Sequence, residues 1–253
     1  IAERAGFSAG YISGGALGFA HGVSEALLTL TEIADVTQHV TARTDIAVIV
    51  DGGVGFADAV HTTRTIQVVE AAGAAGIEIE DQVAPKRVSH HRGIEHLVEM
   101  GEMTGKIRAA VDARSDSDFV IIARTGAVRN ESFEKAIERG NAYANAGADL
   151  VMLMPTNETE WQEAPRRIDM PGATITSLDA RLPAEWASLG WDLIIDPFTA
   201  QTAAVDAISN AYQQFRQSGT TGLDRNDIFA HYRLLADIAG LQEFYEIEDR
   251  TTE

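Results

Sequence analysis

Four times along this chain a helical stretch ends at a glycine and gives way, within a few residues, to a short and almost purely apolar run. Ala5-Gly6-Phe7 precedes Tyr11-Ile12-Ser13, and Ala72-Gly73-Ala74 precedes Gly76-Ile77-Glu78-Ile79-Glu80. Ala146-Gly147-Ala148 precedes Leu150-Val151-Met152-Leu153-Met154, and Leu189-Gly190-Trp191 precedes Leu193-Ile194-Ile195-Asp196. Glycine suits the position just past a helix, where positive φ strains any residue with a Cβ. Two more apolar runs, Ile46 to Asp51 and Phe119 to Arg124, lack the glycine, and a weaker one covers Ala173 to Thr176. Runs this continuously apolar belong to strands covered on both faces, as in parallel sheets.

The segments between them are amphipathic. Ile66, Val69 and Ala72 share one face of a helix expected to start near Ala59. Met103, Ile107, Ala110 and Val111 share a second, and Phe133, Ile137 and Ala144 a third, with Ser132 placed to cap it. Strand alternating with helix predicts an α/β protein with a parallel sheet, and a length of 253 residues suits a (β/α)₈ TIM barrel. Seven strands are visible, so the barrel's first strand is expected to be missing from this chain. Residues 1–202 read as the barrel that carries the active site. Residues 203–253 read as a helical extension, with Ile208, Tyr212 and Phe215 on one face and Leu234, Leu235, Ile238 and Leu241 on another. Such apolar faces suit an oligomer contact.

Charge narrows the partners. With 38 acidic and 20 basic residues the formal charge is −18, which argues against nucleic acid or an anionic membrane. No cysteine is present, which excludes disulfides, thiolate metal sites and a cysteine nucleophile, and fits a reducing cytoplasm. No signal peptide or membrane span is visible. The expectation is a cytoplasmic protein with a small-molecule partner.

In a parallel barrel the active site forms at the C-terminal ends of the strands. Those ends here read Ser13-Gly14-Gly15, Asp51-Gly52-Gly53, Glu80-Asp81, Arg124-Thr125, Met154-Pro155-Thr156, Thr176-Ser177 and Asp196-Pro197. Asp51 and Glu80 offer the hard oxygen donors that Mg²⁺ or Mn²⁺ takes. Arg124 offers a bidentate grip on a carboxylate or phosphonate. Gly14 and Gly15 would let an anion approach the backbone. After the third strand, the loop from Asp81 to Gly93 carries Lys86, Arg87, Ser89, His90, His91 and Arg92. A cationic loop there reads as a lid over an anionic substrate.

These motifs resemble a known group. Ile77-Glu78-Ile79-Glu80-Asp81-Gln82 followed by Pro85-Lys86-Arg87 is similar to the metal and lid region of the isocitrate lyase/phosphoenolpyruvate mutase superfamily. Glu102-Met103-Thr104-Gly105-Lys106-Ile107, Asp118 to Thr125 and Tyr11 to Gly15 extend the resemblance over about residues 1–150. It implies a barrel that binds Mg²⁺ and an α-keto or α-hydroxy acid, with reversible C–C cleavage as the commonest chemistry. It also implies a homotetramer built from dimers that swap their C-terminal helices. By position, Asp51 would be the direct metal ligand, Glu80 a water-mediated one, and Glu25 a further acid near the metal. Tyr11, Ser13, Gly14, Gly15, Ser89 and Arg124 would hold substrate. Lys86, Arg87 and His90 would act from the lid.

Departures from the pattern fall on proton and metal chemistry. The superfamily's lyases carry a lid cysteine as acid where this chain has Val88. A second metal-site aspartate becomes Gly53, an aspartate after Arg-Thr becomes Gly126, and the glutamate of a later strand end becomes Thr156. His90 is the better substitute acid, because imidazole titrates near neutrality. Three readings stay open. One is a lyase with an altered proton donor. Another is a relative that makes or breaks C–P bonds or decarboxylates an α-keto acid. The last is a catalytically silent barrel.

Overall fold

In the computed structural model, which describes residues 1–252, seven strands pair in parallel in chain order. They are β1 (Ala9–Ile12), β2 (Ala47–Asp51), β3 (Gly76–Glu80), β4 (Val120–Arg124), β5 (Leu150–Met152), β6 (Gly172–Ile175) and β7 (Trp191–Ile195). The helices α1 (Gly14–Ala20) and α2 (Leu30–Thr41) follow β1, and α3 (Ala59–Ala71) follows β2. Next come α4 (Met100–Ala113) after β3, α5 (Ala127–Asn130) and α6 (Phe133–Asn145) after β4, α7 (Glu158–Arg167) after β5 and α8 (Pro183–Leu189) after β6. The result is a nearly closed TIM-type barrel, with seven strands among the described residues.

Two alternating sets of strand residues explain both the apolar runs and the position of the site. Val48, Val50, Ile77, Ile79, Ile121 and Ala123 pack outward against Ile66, Val69, Met103, Ile107 and Tyr143 of the helices. Their neighbours in sequence turn the other way: Ile122, Met152, Ala173 and Ile195 fill the barrel with Tyr11, Ile49 and Leu193. Successive strand side chains alternate between faces, so Asp51, Glu78, Glu80 and Arg124 share the inward parity. Register aligns them, with Asp51 opposite Glu78 and Glu80 opposite Arg124.

Local signals act as expected. Gly6, Gly73, Gly147 and Gly190 all take positive φ, at 89°, 89°, 107° and 93°. The Ser132 hydroxyl caps α6 by accepting from Lys135 N–H, and Asp58 caps α3. β1 begins earlier than its apolar run, because Ala9 and Gly10 pair with Ala47 and Val48 through backbone alone.

The barrel occupies a compact unit of residues 1–199. A second unit, from Ala200 onward, holds most of α9 (Thr199–Ser218), α10 (Arg225–Ile238) and α11 (Leu241–Thr251). None of the residues described in these three helices is fully buried. No helix among the described residues is long and apolar enough to cross a membrane.

Candidate active site

Asp51 ends β2 buried, with both carboxylate oxygens held by backbone: Oδ2 accepts from Gly14 N–H at 2.9 Å and Oδ1 from Gly53 N–H at 3.0 Å. Glu80 ends β3, its Oε2 accepting from Gln82 Nε2 at 2.9 Å. Arg124 ends β4, with Nη1 3.3 Å from Glu78 Oε1 and 3.4 Å from Glu80 Oε2, and Nη2 3.5 Å from Glu95 Oε1. Its Nε is buried without a hydrogen-bond partner. Tyr11 donates its phenol proton toward Glu78 Oε2 at 2.5 Å.

The loop after β3 folds back over these strand ends. Lys86 Nζ lies 2.5 Å from Glu80 Oε1 and also contacts Glu25 Oε1. His90 Nε2 approaches the same Glu25 oxygen at 3.0 Å, off the hydrogen-bond axis, while Nδ1 meets the Arg87 carbonyl at 2.6 Å. Desolvation alone would lower the His90 pKa, but Glu25 and the Arg87 carbonyl outweigh it and raise the ring above its ordinary value. His91 stacks on Phe19 at 5.5 Å and bonds Ser24 Oγ at 2.9 Å. Glu25 reaches this point because α1 presses against its turn at Gly18, where a Cβ would stand 2.7 Å from Glu25 N.

Burial and charge compete at each group. Burial raises Asp51, with Lys86 opposing. Burial also pushes Glu80 up, but Lys86 and Arg124 prevail and hold it below the usual carboxylate range. Glu25 is likewise lowered, its desolvation outweighed by His90 and Lys86. Lys86 is desolvated yet held protonated by Glu80, Asp51 and Glu25. Glu78, fully buried, is pushed up to about 7 by desolvation, with Arg124 opposing. Beside the cluster lies a cleft of about 200 Å³, lined by Gly14, Glu25, Asp51 and Lys86 on one side and by Leu28, Ile33, Val54 and Phe56 on the other.

Of the residues expected from sequence, Tyr11, Asp51, Glu80, Glu25, Lys86, His90 and Arg124 therefore come together. Ser13 lies beside them as the cap of α1, its Oγ accepting from Ala16 N–H. Gly14 N–H serves Asp51 rather than an outside anion. Arg87 and Ser89 stay out of the cluster. Arg87 is exposed and contributes only its carbonyl, to His90, while Ser89 Oγ donates to Ile94 O. Two unforeseen residues face Arg124: Glu78, which shares the parity of Glu80, and Glu95, which no local pattern marks. Asp81, of opposite parity, turns away and accepts from Thr125, Tyr143 and Gly126.

A divalent cation suits this donor set. Five carboxylates (Glu25, Asp51, Glu78, Glu80 and Glu95) face Lys86, Arg124 and His90, a negative excess of oxygen donors that a hard cation neutralises. No group of three or more His, Cys, Asp or Glu among the described residues forms a ready coordination set. The Lys86 ammonium lies between Glu25 and Glu80 and serves as the local counter-charge. Mg²⁺ needs only one or two carboxylates, completing its shell with water and substrate oxygens, so the residues fit the ion without a preformed cage.

Comparison with known proteins places this geometry in context. A family model described as phosphoenolpyruvate phosphomutase matches residues 1–216. A 2-methylisocitrate lyase from Aeropyrum pernix is 34% identical over 259 residues, covering 100% of this chain and 82% of the relative. The crystal structure of phosphoenolpyruvate phosphomutase from Streptomyces platensis subsp. rosaceus superposes with a TM-score of 0.90 at 29% identity, covering 100% of this chain and 90% of that one. A phosphonopyruvate hydrolase complexed with oxalate and Mg²⁺ gives a TM-score of 0.85 at 26% identity, over 100% of this chain and 89% of that one.

Proposed function

The chain belongs to the phosphoenolpyruvate phosphomutase family, in the PEP mutase/isocitrate lyase superfamily, and on that premise we propose a Mg²⁺-dependent carbon–carbon lyase for 2-hydroxy di- or tricarboxylic acids. Substrates of the (methyl)isocitrate or dimethylmalate type fit this reading, with Mn²⁺ as the alternative ion. The observation that carries it is the convergence of Asp51, Glu80 and Arg124 at three adjacent strand ends, facing the barrel interior.

Arg124 would grip a substrate carboxylate. Its contacts of 3.3–3.5 Å are all long and its Nε is unpartnered, so no bidentate partner claims it. Asp51 and Glu80, with Glu25 beside them, would hold Mg²⁺, which when bound supplies Lewis-acid stabilisation of negative charge on a substrate oxygen. Ser13 retains its own O–H to donate, since Oγ accepts from Ala16 N–H. Tyr11 and Glu78 keep a proton between them deeper in the barrel. Lys86 and His90 close the site from the loop, exclude water and add positive charge. On cleavage the substrate hydroxyl gives its proton to a carboxylate of the cluster, the C–C bond breaks with its electron pair leaving on the second acid, and that carbon takes up a proton. His90, its pKa raised by Glu25 and the Arg87 carbonyl against desolvation, would be the acid that delivers it.

The test is a screen of 2-hydroxy acids for released pyruvate, glyoxylate or succinate. One substrate should be turned over with Mg²⁺, and Asp51→Ala should abolish the reaction. Failure of every such acid with both Mg²⁺ and Mn²⁺ would refute the proposal. A second reading rests on Val88, whose side chain is 55% exposed, and on Ser89, committed to Ile94 O. Neither delivers a proton, which favours C–P chemistry or decarboxylation of an α-keto acid; ³¹P NMR with phosphonopyruvate separates the two. Loss of all Mg²⁺ and oxalate binding would leave the silent barrel.

The same proposal extends to assembly. Ile208, Tyr212 and Phe215 of α9 and Leu235 of α10 are 54–70% exposed, an apolar load suited to helices swapped within a homotetramer. Light scattering should give four chains per particle, and a monomer would contradict it.

A further inference from the structure

Arg124 is approached on its Nη2 side by Glu95, which comes from just beyond the loop that carries Lys86 and His90. The approach depends on Gly126. A Cβ built there would stand 1.7 Å from Glu95 Oε2, so any other residue at 126 must expel the carboxylate. Positive φ is not the reason for glycine, since Gly126 has φ −85° and ψ 4°, a bridge-region conformation that residues with a Cβ also adopt at turns. Asn130 clamps the pair: its Oδ1 accepts from Glu95 N–H at 2.9 Å, and its Nδ2 donates to Gly126 O at 2.9 Å and to Glu95 Oε2 at 3.4 Å. The Glu95 side chain is only 11% exposed. This is a buried carboxylate seated on purpose-made space, counted above only in the charge balance of the cluster.

We propose that Glu95 is a positioning residue for Arg124, seated by Gly126, which moderates the positive charge that a substrate carboxylate meets and ties the loop to the anion-binding arginine. The inference rests on the reading of Arg124 as the carboxylate grip. Glu78 and Glu80 hold the guanidinium from Nη1, and Glu95 holds Nη2 from the far side. A bound carboxylate must share Nη2 with Glu95 or displace it. The carboxylate of Glu95 therefore weakens anion binding while it fixes the orientation of the arginine.

Oxalate, titrated calorimetrically in Mg²⁺, is the probe. Glu95→Gln keeps the size of the side chain and an oxygen for Nη2 but removes the charge. Oxalate should then bind about tenfold tighter, the scale of losing one like charge roughly 6 Å from a bound anion in a partly solvated site. Gly126→Ala should tighten binding too, by pushing Glu95 aside, and should change nothing further in a Glu95→Ala background. A merely structural Glu95 would give the opposite sign, since loosening Arg124 weakens binding. Unchanged or weaker binding in Glu95→Gln overturns the proposal, as does a Gly126→Ala effect that persists without Glu95. Thermal melts of each variant confirm folding. Wild type that binds no oxalate, or binds it equally well after Arg124→Ala, overturns the reading of the site and this inference together. An Arg124-dependent wild type with an indifferent Glu95→Gln overturns the inference alone.

Discussion

Replacing Lys86 by methionine should destabilise the chain without metal and make it more responsive to Mg²⁺. The ammonium lies against Glu80 Oε1 and Glu25 Oε1, with side-chain exposures of 7% for Lys86, 1% for Glu80 and 13% for Glu25. Removing one partner of a buried ion pair costs about 3–5 kcal/mol, because the remaining charge is left uncompensated. Here two carboxylates lose their partner, with Asp51 nearby adding to the repulsion. For a protein of this size the cost corresponds to a midpoint lowered by roughly 6–20 °C. A cation that binds only the folded state stabilises it by RT ln(1 + [L]/Kd), so Mg²⁺ should restore most of the loss. The assay is thermal unfolding by circular dichroism, in EDTA and in saturating Mg²⁺, for wild type and Lys86→Met. The expected result is a low midpoint in EDTA and a Mg²⁺-induced rise larger than that of wild type. Equal midpoints in EDTA, or equal Mg²⁺ shifts, would refute the claim that Lys86 balances the carboxylates a metal would use.

Other outcomes follow from the same contacts. Tyr143→Phe removes a phenol that donates to Asp81 Oδ2 at 2.8 Å, and should cost about 1–3 kcal/mol in urea unfolding. Ile107→Ala, at a fully buried position in the outer core, should cost about 2–5 kcal/mol by the same measurement. Arg139 holds the Glu131 carboxylate below its ordinary value of 4.5. A depressed folded pKa adds stability above the unfolded value that is lost as pH falls through the folded one. The stability gap between wild type and Glu131→Gln should therefore be full at neutral pH and shrink below about pH 4.5. A gap that stays constant down to strongly acid pH would count against that pair.

The fold was legible because burial on both faces leaves a signature that no surface strand carries. All seven strands fall where apolar runs stand, and α3, α6 and α8 end at glycines with positive φ, as the sequence marked. The ends of β1 and β5 were less visible, since backbone pairing at Ala9 and Gly10 requires no side chain and the run after Met152 leaves the ladder. Asp51, Glu80 and Arg124 could be found because strand ends at one barrel rim must gather. Glu78 carries the same signal, two residues from Glu80 on the same strand face, and its inward parity follows once Glu80 is placed inward. Glu95 had no such marker: only the tertiary path of the loop, and the missing Cβ at Gly126, bring it to Arg124. Arg87 and Ser89 sit next to residues that enter the cluster, yet the short helical turn over Val88–Arg92 directs them elsewhere.

A crystal structure grown with Mg²⁺ and oxalate tests the central claim most directly. The ion should sit against Asp51 and Glu80 with Lys86 moved off the carboxylates, and oxalate should bridge from the metal to Arg124. An ion bound elsewhere, with Lys86 still seated between Glu25 and Glu80 and no anion on Arg124, would contradict it.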